Sequence, residues 1–159
     1  MSAPAAPELQ RLALLIEAEA VQLRELITLL EEEQSRLLAN DIDRLLVLTT
    51  EKTSRYQQLQ RLYANKINLL ERLGKTNPDT AIREFYAEMP RVLARWDEVL
   101  AYARTAKEQN MLNGKLITER MQHNQTALSV LLSAANHPQL YDATGNTLPA
   151  GHGRSLGSA

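Results

Sequence analysis

ELQRLALLIEAEAVQLRELITLLEEEQSRLLAN, residues 8–40, decides the fold. Leu9, Ile16, Leu23, Leu30 and Leu37 recur at a seven-residue spacing. Leu12, Ala13, Ala20, Leu26 and Ile27 follow three or four residues behind them. Such a heptad holds one seam of a helix against a partner helix. No Pro or Gly interrupts the run. Glu17, Glu19, Glu25 and the run Glu31-Glu32-Glu33 stand against Arg11, Arg24 and Arg36. This acidic set reads as the solvated outer face of the helix.

The rest of the sequence supplies the partner. Asn40, Asp41 and Asp43 mark a break, and Asp is suited to cap the helix that follows. That second helix has the seam Ile42, Leu45, Thr49, Lys52, Tyr56, Leu59, Tyr63, Lys66, Leu70 and Leu73. Lys52 and Lys66 read as aliphatic stems reaching past the seam to water. The second helix is mainly basic where the first is acidic. A short link makes the two antiparallel neighbours, with leucine burial stabilising the pair and charge choosing the partner.

Gly74 is a candidate helix stop, and Pro78 a helix start. A short helical piece then carries Phe85 and Tyr86 as far as Pro90, which should break the chain at Met89. Leu93, Trp96, Leu100, Ala103, Met111, Ile117, Met121, Leu128, Leu131 and Ala135 keep helical spacing beyond it. They predict a third long helix, with a soft point at Gly114 that marks a hinge or a close approach of another backbone. Asn136-His137-Pro138 ends it. The expected fold is all-α: an elongated antiparallel bundle of three long helices with a short extra helix before Pro90. Its helices fall at about residues 8–39, 41–74, 79–89 and 91–136, after a disordered lead over 1–7 and before a flexible tail over 138–159.

Composition narrows the function. The chain has 159 residues with a formal net charge of -1, which suits one domain and argues against a nucleic-acid binder. It has no cysteine, hence no disulfide framework or thiolate metal site. The first residues, MSAPAAP, are not a secretory leader, and no run reaches the length of a membrane span. The expectation is a cytoplasmic protein without stable membrane insertion. His123 lies four residues after Glu119, but no second pair completes a metal site. No phosphate loop, nucleophile elbow or other catalytic constellation is present, so no cofactor, metal or enzymatic activity is expected.

Three blocks carry a family resemblance. The first is Ser35-Arg36-Leu37-Leu38-Ala39-Asn40-Asp41-Ile42-Asp43-Arg44-Leu45, after the Glu-rich stretch. The second is Leu48-Thr49-Thr50-Glu51-Lys52. The third is Leu112-Asn113-Gly114-Lys115-Leu116-Ile117, followed by Ala127-Leu128-Ser129-Val130-Leu131 and by Tyr141-Asp142-Ala143-Thr144-Gly145. As an ordered set they resemble the FlgN family of flagellar export chaperones. Asp142 stands where the family commonly has Gly.

The resemblance implies a small helical chaperone that binds the C-terminal helical segments of the hook-associated proteins FlgK and FlgL. It would prevent their premature assembly and deliver them to the type III export gate protein FlhA. The soft third helix, with Asn113, Leu116, Ile117, Met121, Leu128 and Leu131, is the expected client-binding surface. Tyr141 is the expected docking residue for FlhA. A self-associating structural coiled-coil tether, a homodimer for example, is the alternative that the same seam would serve. A membrane-surface role rests only on the basic second helix, which the acidic first helix offsets.

Overall fold

The computed structural model describes residues 3–121 and 125–136. Five helices follow one another: α1 (Ala6–Leu38), α2 (Ile42–Arg72), α3 (Pro78–Phe85), α4 (Pro90–Arg120) and α5 (Gln125–Ala135). Among the described residues there is no strand.

Local chemistry sets the ends of the long hairpin. Asn40 takes a left-handed conformation at φ 56°. Its N–H donates to Leu37 O at 3.2 Å and that of Asp41 to Arg36 O at 3.0 Å, which closes α1 with a Schellman turn. Asp41 then opens α2, its Oδ1 accepting from the Arg44 N–H at 3.2 Å. Two adjacent residues thus end one helix and start the next. Gly74, at φ 75°, repeats the stop at the far end, with the Lys75 N–H reaching Leu70 O at 2.9 Å. Asn77 caps α3 through Thr80 N at 3.1 Å. α3 stops at Phe85, a turn covers residues 86–88, and Pro90 opens α4, where its missing N–H costs nothing.

α1 is the common member of the bundle, packed against α2 on one side and α4 on the other. Paired side chains give the directions. Glu19 meets Lys66 and Glu33 meets Lys52, so α2 is antiparallel to α1. Glu17 meets Arg95 and Arg24 meets Tyr102, so α4 runs alongside α1 in the same sense. One core fills most of the length, from Leu12, Ile16 and Leu23 to Leu59, Trp96 and Val99. Each such buried side chain contributes about 1.5–3 kcal/mol. Tyr86 and Trp96 secure the end where α3 lies. The Tyr86 hydroxyl donates to Leu9 O, and Trp96 Nε1 donates to Asp79 Oδ1 at 2.8 Å.

The structure departs from the expected third long helix. α4 ends at Arg120, and α5 packs against both α4 and α2. The Asn110 amide donates to Ala135 O at 2.9 Å, so the end of α5 lies back beside the middle of α4. The apolar spacing runs on across residues 121–128 without Pro or Gly, which is why the pattern reads as one helix. Burial decides otherwise: folding back places Leu128 and Leu131 against Leu37, Leu45 and Ile117. A straight continuation would carry those leucines past the end of the bundle. Gly114 lies within continuous α4, and a Cβ there would meet nothing within 4 Å, so no other backbone approaches it.

Candidate functional site: a polar ladder and an apolar helix seat

Two features stand out from an otherwise leucine-rich bundle. The first is a buried polar ladder between α1 and α2. Lys66 Nζ lies 2.9 Å and 3.0 Å from the two Glu19 oxygens, and both side chains are wholly buried. Lys52 Nζ lies 3.2 Å and 3.3 Å from those of Glu33, again out of water. Glu19 and Glu33 therefore do not belong to a solvated face, and Lys52 and Lys66 do not reach past the seam to water. All four occupy seam positions, three residues after an apolar heptad residue in α1 and in the equivalent slots of α2. The acidic pair and the basic pair are each spaced by fourteen residues, which an antiparallel register brings together.

The surroundings explain the electrostatics. Burial pulls both lysine pKa values below the usual range, and the facing carboxylate opposes that shift in each case. Lys66 also lies 4.6 Å from the centre of the Trp96 ring and 5.1 Å from that of Tyr63, a cation–π environment that supports the ammonium form. Tyr56, near Glu33, is pushed well above the ordinary phenol range, first by burial and then by that carboxylate. Asn113 of α4 joins the ladder. Its Nδ2 donates to Leu30 O and to Glu33 Oε1, both at 2.8 Å, and its Oδ1 accepts from Gln109 at 3.0 Å.

The second feature is the seat of α5. Leu37 from the end of α1, Leu45 from the start of α2 and Ile117 from α4 make its buried floor. Ile42, Leu116 and Met121 line the edges, half-buried. Leu128, Leu131 and Ala135 of α5 fill it. The six residues expected on a client surface thus fall into three groups. Asn113 is an interior tie, 0% exposed. Leu116, Ile117 and Met121 belong to the floor and rim of the seat, and Leu128 and Leu131 to its present occupant. Sequence reasoning missed Leu37, Ile42 and Leu45, whose signal was an apolar cluster straddling the Asn40-Asp41 turn. Tyr141 lies outside the described residues.

An open groove lies between the N-terminal part of α1 and the start of α4. Ala13, Leu14, Ile16 and Val92 line it, and Arg91, Arg95 and Glu17 flank it. Leu14 is 69% exposed there. Among the described residues no group of three His, Asp or Glu side chains could hold a metal ion. No helix among them is long and apolar enough to cross a membrane.

These features define a helical packing protein: its interior polar groups set helix register, and one end presents a seat shaped for a short helix. Comparison with known proteins gives the lineage. The family model described as FlgN protein matches residues 1–149, and the chain belongs to the FlgN family. It is 28% identical over 139 residues to the flagella synthesis protein FlgN of Escherichia coli strain K12, covering 86% of this chain and 90% of that one. The protein of the same name from Yersinia enterocolitica serotype O:8 is 26% identical over 151 residues, covering 93% and 97%. No solved structure matches the chain.

Proposed function

We propose that this protein is a cytoplasmic flagellar export chaperone. It binds the C-terminal helical segments of FlgK and FlgL, keeps them from assembling early and presents them to the export gate protein FlhA. The observation that carries this reading is membership of the FlgN family across nearly the whole chain. The geometry is compatible with it. Helical termini that would otherwise pack with one another can be masked by laying an apolar face into a groove, and the bundle ends in a seat that accepts such a face. The client side is the region of Asn113, Leu116, Ile117, Met121, Leu128 and Leu131, within which Ile117 lies at the floor of the seat. Tyr141 is the proposed contact with FlhA.

Co-purification and calorimetry with a FlgK C-terminal fragment test the reading. The wild-type chain should bind it, and Ile117→Asp should bind at least tenfold more weakly. No binding by the wild-type chain would overturn the chaperone assignment.

One observation favours a second reading, a self-associating helical tether. Leu14 and Val21 lie one heptad apart on α1 and both are exposed. Concentration-dependent mass in sedimentation, abolished by Leu14→Glu, would support it. A monomer at all concentrations would exclude it.

A further inference from the structure

Four of the helix contacts in this bundle carry an ion pair that crosses between helices or their flanking residues. α1 and α2 share Glu19–Lys66 and Glu33–Lys52, and α1 and α4 share Glu17–Arg95. Lys75, just past α2, meets Glu84 of α3, and Arg83 of α3 meets Asp97 of α4. The contacts of α5 differ in kind. Its sequence from Gln125 to Ala135, QTALSVLLSAA, contains no charged residue, so it can form no ion pair. Among the described residues its polar tie to the bundle is Asn110 Nδ2 to Ala135 O, a bond that any helix with a carbonyl at that point could accept. The rest is apolar shape: Leu128, Leu131 and Ala135 on the seat, with Val130 facing water at 53% exposure.

The seat is assembled by other elements. Leu37, Ile42 and Leu45 are placed by the capped Asn40-Asp41 turn, and Ile117 by α4, which Asn113 ties to α1. At eleven residues α5 is also shorter than the roughly 12–15 residues that an isolated helix needs in water. Its helical form therefore depends on the seat, while the components of the seat are positioned by contacts that do not involve α5.

We propose that the α5 seat is an exchange site, and that α5 is the resident copy of the helix it takes from a partner. The partner is an amphipathic helix of another protein. Its docking face is uncharged, with large apolar side chains at positions i and i+3 and a small one at i+7, as in Leu128, Leu131 and Ala135. When that helix binds, α5 leaves. This deepens the chaperone reading, on which it rests for the partner's identity but not for the existence of the seat. Leu128 and Leu131 then mark the client side as its resident occupants, and give way when the client enters.

The test uses the full chain and a labelled synthetic peptide of residues 125–136 with a lysine pair added at each end for solubility. Leu128→Asp/Leu131→Asp should empty the seat and bind this peptide at least tenfold more tightly than the wild type. Adding Ile117→Asp should abolish the gain. Equal binding by wild type and the double variant, or no binding by the double variant with its helical circular dichroism intact, overturns the proposal. If the double variant loses its helical signal, Leu131→Ala serves in its place, with an expected gain of at least threefold and the same overturning result. A dimer formed by the empty-seat variant with wild-type chain would show instead that α5 of a second copy is the occupant, and would also overturn it.

A second arm separates this inference from the chaperone reading. The chain has no native cysteine, so Asn110→Cys and Ala135→Cys can be joined by a short cleavable crosslinker. The closed form should bind a FlgK C-terminal fragment at least tenfold more weakly than the cleaved form. Equal binding by both overturns the exchange. If neither form nor the wild type binds the fragment, the client assignment fails, and the peptide result alone decides the exchange.

Discussion

The Asn113 amide nitrogen stands 2.8 Å from Glu33 Oε1, the same oxygen that Lys52 approaches to 3.2 Å. One carboxylate oxygen therefore joins α1, α2 and α4 at the level where the main core gives way to the α5 seat. Asn113→Ala leaves Glu33 and the Leu30 carbonyl each short of a buried donor. The expected loss is about 1–3 kcal/mol in urea unfolding. A change within experimental error would mean that this junction does not hold α4.

The Glu19–Lys66 pair predicts a sharp non-additivity. Lys66→Met alone takes the facing ammonium away from a buried carboxylate and should destabilise by about 3–5 kcal/mol. Combined with Glu19→Leu, the same substitution should recover most of that loss, because an apolar pair avoids the desolvation of both charges. A double-mutant cycle in urea measures the coupling. Additive losses would show that the two side chains do not face each other.

Leu30 is wholly buried at mid-seam. Leu30→Ala should cost about 2–5 kcal/mol, depending on how far the cavity collapses. A loss below about 0.5 kcal/mol, the usual range for surface substitutions, would remove Leu30 from the seam.

Alkaline unfolding should carry the signature of Tyr86. Burial pushes its phenol up to about 12 in the fold, against about 10 in an unfolded chain. Between those values the fold keeps a proton that the unfolded chain sheds, so stability falls as pH rises, by up to about 1.4 kcal/mol per pH unit. Tyr56, raised by burial, adds to the fall. Lys52 and Lys66 act oppositely. Their pKa values are lowered in the fold, so stability rises with pH until the unfolded lysines lose their protons near pH 10.4. Tyr86→Phe loses the bond to Leu9 O and should be less stable at neutral pH, yet its decline above pH 10 should be shallower than that of wild type. Parallel declines would show that Tyr86 does not titrate on unfolding.

Tyr141→Ala should leave stability and FlgK binding unchanged and weaken binding to the cytoplasmic part of FlhA about tenfold, roughly 1.4 kcal/mol. A tyrosine offers a large apolar face and a hydroxyl on few rotatable bonds. Equal affinities for FlhA would place the contact elsewhere on the chain.

What was legible in the sequence was local. The heptad of α1, the stop and start at Asn40-Asp41, the left-handed Gly74 and the break before Pro90 all follow from short-range chemistry. The ladder was half legible. The sequence sets Lys52 and Lys66 at seam positions but groups Glu19 and Glu33 with the acidic outer face, and a single helix cannot say whether such a charge reaches water or finds a partner. Only the matched spacing on both helices carried that information. The fold-back of α5 was not legible, because nothing between Met121 and Gln125 breaks the helical pattern. The deciding contacts, with Leu37 and Leu45, are more than eighty residues away in sequence. The same contacts bury Ile117, Leu128 and Leu131, while Leu116 and Met121 stay half-buried at the rim.

The two ion pairs also act as a vernier. In the register that sets Glu19 on Lys66 and Glu33 on Lys52, Leu26 comes opposite Leu59. Sliding α2 by one heptad in either direction would set each of those glutamates against a leucine, at a cost of several kcal/mol for every charge left buried and unmatched. The shaft of the molecule is therefore indexed to a single position, whatever happens at its tip. A helix can enter or leave the seat beside Leu37 and Leu45 without α1 and α2 slipping past each other, which gives the protein a fixed handle and a replaceable end.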